Sequence, residues 1–138
     1  MNIAVLGLWH LGSVTAACLA AAGHQVAGFD PAPAVVSGLQ DGRPPVAEPG
    51  LTELVARGLA AGTLRFTGDL ASAVSNAELV WVTFDTPVDE EDVADVQYVI
   101  DQVEAAFPHL ATDSVVLCSS QLPVGSVRRL EEQWRTVA

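Results

Sequence analysis

Residues 2–6 form a short apolar run that breaks at Gly7-Leu8-Trp9-His10-Leu11-Gly12 into an alanine-rich stretch of helical pattern. A second apolar run, 25–29, closes on Asp30, 18 residues past Gly12. A strand turning tightly into a helix, then a second strand ending in an acid, is the layout of a βαβ unit. Gly7 supplies the turn, and Gly12 lets the helix pack close to the sheet. The N-terminus of such a helix presents unpaired N–H groups and a partial positive charge, which suit a pyrophosphate. A carboxylate at the position of Asp30 accepts hydrogen bonds from both hydroxyls of an adenosine ribose and repels a 2′-phosphate, so the pattern selects NAD over NADP.

The pattern departs from G-x-G-x-x-G at its middle glycine, which is Trp9. That glycine lets backbone approach the phosphates. Each charge-assisted hydrogen bond lost there costs about 1.5–3 kcal/mol, or roughly ten- to a hundredfold in affinity. The expectation is a loop that rotates the indole outward and binds NAD weakly. The rival reading is a binding or assembly module that has kept the fold and lost the dinucleotide.

Beyond residue 30 the chain continues to alternate. Helical patterns over 33–39, 51–61, 69–74 and 96–107 interleave with strand patterns over 64–67, 79–83 and 114–118, and a last helix starts after Gly125. Asp69 and Asp95 stand at helix N-caps, Gly23 and Gly62 at helix ends, and Pro108 stops the helix before it. The strands are near-continuous apolar runs, as expected when helices cover both faces. The fold class is therefore α/β: a Rossmann-like, doubly wound parallel sheet with helices on both faces, formed by residues 1–138 as a single dinucleotide-binding domain.

Charge and composition exclude several functions. The net charge is −11, from 17 acids against six bases, all of them arginine. Without lysine there is no Schiff base and no P-loop lysine, so a phosphate must be held by backbone amides and helix ends. The acidity argues against nucleic acid and against anionic membrane surfaces. No apolar stretch reaches the ~18 residues of a membrane span, and no basic segment leads an apolar run at the start, so the expected location is the cytoplasm. Cys18 and Cys118 read as two buried thiols in a reducing compartment.

The remaining features read as structure. Six acids between Asp85 and Asp95 form a solvated loop with a helix cap, and no metal site is expected. His24 and His109 read as surface residues, whereas His10 lies in the glycine turn itself. Ser119 and Ser120 lack the G-x-S-x-G context of a hydrolase. Trp81 reads as core. Trp134, in the last helix, reads as exposed and would favour a homo-oligomer.

With the βαβ unit in place, further segments carry a resemblance. The stretch from Val36 to Leu51 ends in Glu48-Pro49-Gly50-Leu51; Asp85-Thr86-Pro87 follows the fourth strand; Asp95-Val96-Gln97-Tyr98-Val99 opens a helix; and Ser119-Ser120-Gln121-Leu122-Pro123-Val124-Gly125-Ser126 follows the fifth strand. These segments resemble the N-terminal domain of the UDP-glucose/GDP-mannose dehydrogenase family over nearly the whole chain. Enzymes of that family oxidise the C6 alcohol of a nucleotide sugar to a carboxylate with two NAD, through a cysteine thiohemiacetal.

The resemblance implies that the segment from Gly7 through Trp9, His10 and Leu11 to Gly12 holds the pyrophosphate, and Asp30 the adenosine ribose. It implies that Phe84, Asp85, Thr86, Pro87 and Val88 line the site. It also implies that Ser120, Gln121 and Leu122 lie beside the nicotinamide, with Gln121 and Thr86 as positioning groups. Four positions depart from the family pattern: Trp9 for glycine, His10 for tyrosine, Val35 for a basic residue and Gln121 for threonine. The family's nucleophilic cysteine, catalytic lysine and sugar-binding domain have no counterpart here, so the chain reads as a first domain that does not oxidise sugars alone. A β-hydroxyacid dehydrogenase domain shares the first βαβ unit but lacks the Glu48–Leu51 segment.

Overall fold

The computed structural model describes residues 1–137. Five strands, β1 (Asn2–Leu6), β2 (Gln25–Phe29), β3 (Leu64–Thr67), β4 (Leu79–Val82) and β5 (Val115–Cys118), form one sheet in the order β3-β2-β1-β4-β5. Every neighbouring pair is parallel. The connecting helices are α1 (His10–Ala21), α2 (Pro33–Gln40), α3 (Leu51–Ala61), α4 (Leu70–Val74), α5 (Val96–Ala106) and α6 (Ser126–Val137). This is the expected doubly wound arrangement. The chain runs outward from β1 to β3, then crosses to β4 and β5, so the strand order reverses beside β1. Ligands of open parallel sheets bind outside the carboxyl ends of the strands at such a reversal.

Alternation along the strands feeds two cores. On one face Ile3, Val5, Val26, Leu64 and Phe66 pack with Leu8, Ala16, Ala17, Ala20, Leu39 and Val55. On the other, Ala4, Leu6, Phe29, Val80 and Val82 pack with Val74, Val99, Ile100, Val103, Phe107 and Leu130. Beyond its first residue β1 is buried on both faces, which explains its unbroken apolar run. No helix of the described residues is long and apolar enough to cross a membrane.

Several expectations need correction. Helix α1 begins at His10, inside the glycine turn rather than after it, with Trp9 at its N-cap. Helix α5 yields at Phe107 to a 3-10 turn over Phe107–His109, because Pro108 cannot donate the next helical bond. Cys18 is exposed and Cys118 half-buried, where two buried thiols were expected. Cys18 stands between Ala17 and Leu19 on the outward side of α1, a position an alanine-rich helix does not reveal by periodicity. His24 is half-buried, with Nδ1 3.1 Å from the Met1 amino nitrogen.

Trp81 is half-buried and not part of the core, and its Nε1 donates to Ser119 Oγ at 2.7 Å. It shares a sheet face with Val115 and Leu117 of the edge strand β5, which are 61% and 41% exposed. Trp134 corrects in the opposite sense. It is half-buried rather than exposed, meeting the Phe107 ring edge-on with centroids 5.4 Å apart.

Candidate dinucleotide site

The last register pairs of the sheet are Leu6 with Phe29, Leu6 with Val82, Phe29 with Thr67, and Val82 with Cys118. Gly7, Asp30, Thr83 and Ser119 therefore stand in a row just past the carboxyl ends of adjacent strands. This register brings residues distant in sequence to one rim.

The turn after β1 requires its two glycines for different reasons. Gly7 has φ +97°, and a Cβ there would lie 2.6 Å from Phe84 Cα. Its N–H donates to the Phe29 carbonyl at 2.8 Å. Gly12 is a matter of space: a Cβ would sit 1.6 Å from the Gly7 oxygen and 2.8 Å from Thr83 Oγ1. Trp9 has a negative φ, −79°, and is 49% exposed. The indole is thus not part of the core.

The first turn of α1 is left free for an anion. Its N-cap makes no side-chain hydrogen bond, and no acid lies in the first turn. The bond Ser13 N–H to Trp9 O, 3.0 Å, opens the helical ladder, so the N–H groups of His10, Leu11 and Gly12 have no intrahelical acceptor. Leu11 is exposed at this end.

Asp30 closes the adenosine side. Its Oδ2 accepts from Leu8 N–H and its Oδ1 from Ala32 N–H, each at 2.9 Å. Each carboxylate oxygen keeps a second acceptor position, enough for a diol. Tyr98 of α5 stands near this carboxylate. Burial and then the Asp30 charge hold its phenol above the usual value. Its ring meets Phe84 edge-on at 5.9 Å. His10 Nε2 lies 2.9 Å from Glu48 Oε2, joining the glycine turn to the loop before α3; both side chains are exposed. Val35 packs half-buried against the core and offers no charge to the adenosine end.

The loops after β4 and β5 are fastened to one another. Ser120 Oγ donates to the Phe84 carbonyl at 2.6 Å, and Thr86 Oγ1 to the Gln121 carbonyl at 2.9 Å. Phe84 is buried, Leu122 half-buried against the core, and Asp85, Pro87 and Gln121 exposed. The structure therefore brings all the sequence-predicted residues to the carboxyl rim. Sequence reasoning missed Ser13, Thr83, Glu48 and Tyr98. Thr83 stands out in the sequence only as a hydroxyl between Val82 and Phe84 at the end of an apolar run; its role, like those of Ser13, Glu48 and Tyr98, appears only in the folded structure.

The residues present fit an adenine dinucleotide: an uncapped helix N-terminus without acids, a turn narrowed at two glycines, and a carboxylate at the end of β2. The comparisons agree. Residues 1–136 match the profile of the UDP-glucose/GDP-mannose dehydrogenase family, NAD binding domain. The chain is 36% identical over 132 residues to the UDP-glucose 6-dehydrogenase of Pseudomonas aeruginosa, covering 96% of this chain and 29% of that protein. Among solved structures it is similar to a UDP-glucose dehydrogenase from Pyrobaculum islandicum, with TM-score 0.84 and 31% identity, over 96% of this chain and 33% of that one. It is likewise similar to the GDP-mannose dehydrogenase of Pseudomonas aeruginosa, with TM-score 0.88 and 26% identity, over 98% and 33%. The chain thus spans about a third or less of each of these three proteins.

Proposed function

The chain belongs to the UDP-glucose/GDP-mannose dehydrogenase family as its NAD-binding domain, and from that premise we propose that it holds the cofactor for oxidation of a nucleotide-sugar C6 alcohol to a carboxylate. Bound NAD supplies the hydride acceptor. The chain's own residues bind and orient it. The N–H groups of His10, Leu11 and Gly12 take the pyrophosphate, within a turn that Gly7 opens and Trp9 flanks. Asp30 accepts the adenosine ribose hydroxyls. Phe84, Asp85, Thr86 and Pro87 line the middle of the site, and Ser120, Gln121 and Leu122 the nicotinamide end, where Gln121 and Thr86 act as positioning groups.

The sugar-binding groups and the nucleophile lie outside these 138 residues, which contain no lysine. The chain alone is then a cofactor-binding unit without sugar oxidation. One observation carries the reading: the Asp30 carboxylate and the uncapped N-terminus of α1 flank the same turn, joined by the Leu8 N–H bond to Oδ2.

Calorimetric titration tests it. NAD is expected to bind at one site and NADP at least about tenfold more weakly, a difference of ~1.4 kcal/mol. Asp30→Ala removes that preference. Absence of heat with millimolar NAD overturns the reading.

A further inference from the structure

Among the described residues the buried polar side chains are those of Ser13, 0% exposed, and Thr83, 1% exposed. Both act on the turn between β1 and α1, from opposite sides. Buried hydroxyls are tolerated where they are hydrogen-bonded, and here the partners are the turn's own carbonyls. Thr83 N–H donates to Leu6 O at 2.8 Å, and Thr83 Oγ1 lies 2.7 Å from Gly7 O and 3.1 Å from Leu6 O. Ser13 Oγ donates to Trp9 O and approaches His10 O at 3.3 Å.

In a trans peptide the carbonyl of one residue and the N–H of the next point in opposite directions. No cis peptide occurs here. Thr83 therefore pulls on one end of the Gly7–Leu8 peptide while Asp30 Oδ2 holds the other through Leu8 N–H at 2.9 Å. Ser13 draws the Trp9 and His10 carbonyls inward, which aims the N–H groups of His10 and Leu11 outward. β4 is Leu79-Val80-Trp81-Val82 and Phe84 follows, so an apolar residue would continue that run equally well at position 83. The hydroxyl there is explained by the turn rather than by the core.

We propose that Thr83 and Ser13 are positioning residues that preorganise the pyrophosphate-binding amides and so preserve dinucleotide binding with tryptophan at position 9. The inference rests on the NAD-binding reading above. The test is NAD titration of the intact chain and of Thr83→Val, Thr83→Ser and Ser13→Ala, with urea unfolding of each to establish that it is folded. Thr83→Val and Ser13→Ala are each expected to bind NAD at least about fivefold more weakly, the loss of one hydrogen bond's orienting effect. Thr83→Ser, which keeps the hydroxyl, should stay within about threefold of the parent. A parent that fails to bind NAD defeats the cofactor reading itself. A parent that binds while folded Thr83→Val binds equally well, or while Thr83→Ser is as weak as Thr83→Val, overturns the proposal. Should Thr83→Val not fold, Ser13→Ala decides: weakened binding supports the assignment and unchanged binding rejects it.

Discussion

Trp9 has about half of its surface exposed and a negative φ, −79°, outside the left-handed region that favours glycine. Its ring lies outside the core, so removing it should gain little. Trp9→Gly is expected to leave NAD affinity within about threefold, under ~0.7 kcal/mol, by calorimetry. A gain of tenfold or more would identify the indole as an obstruction. Tyr98 offers a second readout, because it is the chain's one tyrosine. Its phenol is held above the ordinary value of 10.0 by burial and by the Asp30 charge. The folded chain thus keeps that proton more tightly than the unfolded chain. The associated stability is fully present below about pH 10 and is lost as pH rises through the raised value. Tyrosinate absorbance should therefore titrate above pH 10 in the folded protein and return to the ordinary value in urea. Alkaline loss of stability should be shallower in Tyr98→Phe. Coincident folded and unfolded titrations would contradict the burial of the Tyr98 phenol.

Helix α5 begins where Asp95 Oδ1 accepts the Tyr98 N–H at 3.1 Å, so one cap sets both the start of the helix and the residue whose ring meets Phe84. Asp95→Ala should cost about 1 kcal/mol in urea unfolding, and Asp95→Asn much less, since asparagine caps comparably. Equal losses in the two variants would mean that the charge, and not the cap, is what stabilises. Nearly every element of this fold was legible in the sequence, because period, caps and breakers are local signals. The errors had physical causes. Trp81 looked like core because an apolar strand run implies covered faces, yet β4 and β5 present one face that leaves Val115 and Leu117 exposed. Cys18 looked buried because the small apolar residues of α1 leave no polar stripe to mark its solvent face. Asp30, Gly7 and Gly12 were legible through fixed spacing. Thr83 and Tyr98 were not, since their roles depend on which strand and helix end beside the turn.

The whole molecule carries a net charge of −11 with its two thiols in unlike settings. Cys118 is half-buried, and burial raises its thiol above the usual value, whereas Cys18 is exposed on α1. Alkylation requires the thiolate and access to it. At neutral pH, iodoacetamide should modify Cys18 well before Cys118, read by peptide mass spectrometry, and partial urea unfolding should equalise the two; equal rates in the native protein would remove Cys118 from its place against the core. Periodicity, glycine spacing and the acid after the second strand were enough to establish a parallel α/β unit built for a dinucleotide, because each is a short-range consequence of backbone geometry. The packing of the folded chain decided that the indole points outward, that Thr83 reaches across 76 residues to hold Gly7, and that one end of the sheet stays uncovered. Those outcomes depend on the order in which strands pair, and strand order brings together residues that no local pattern connects.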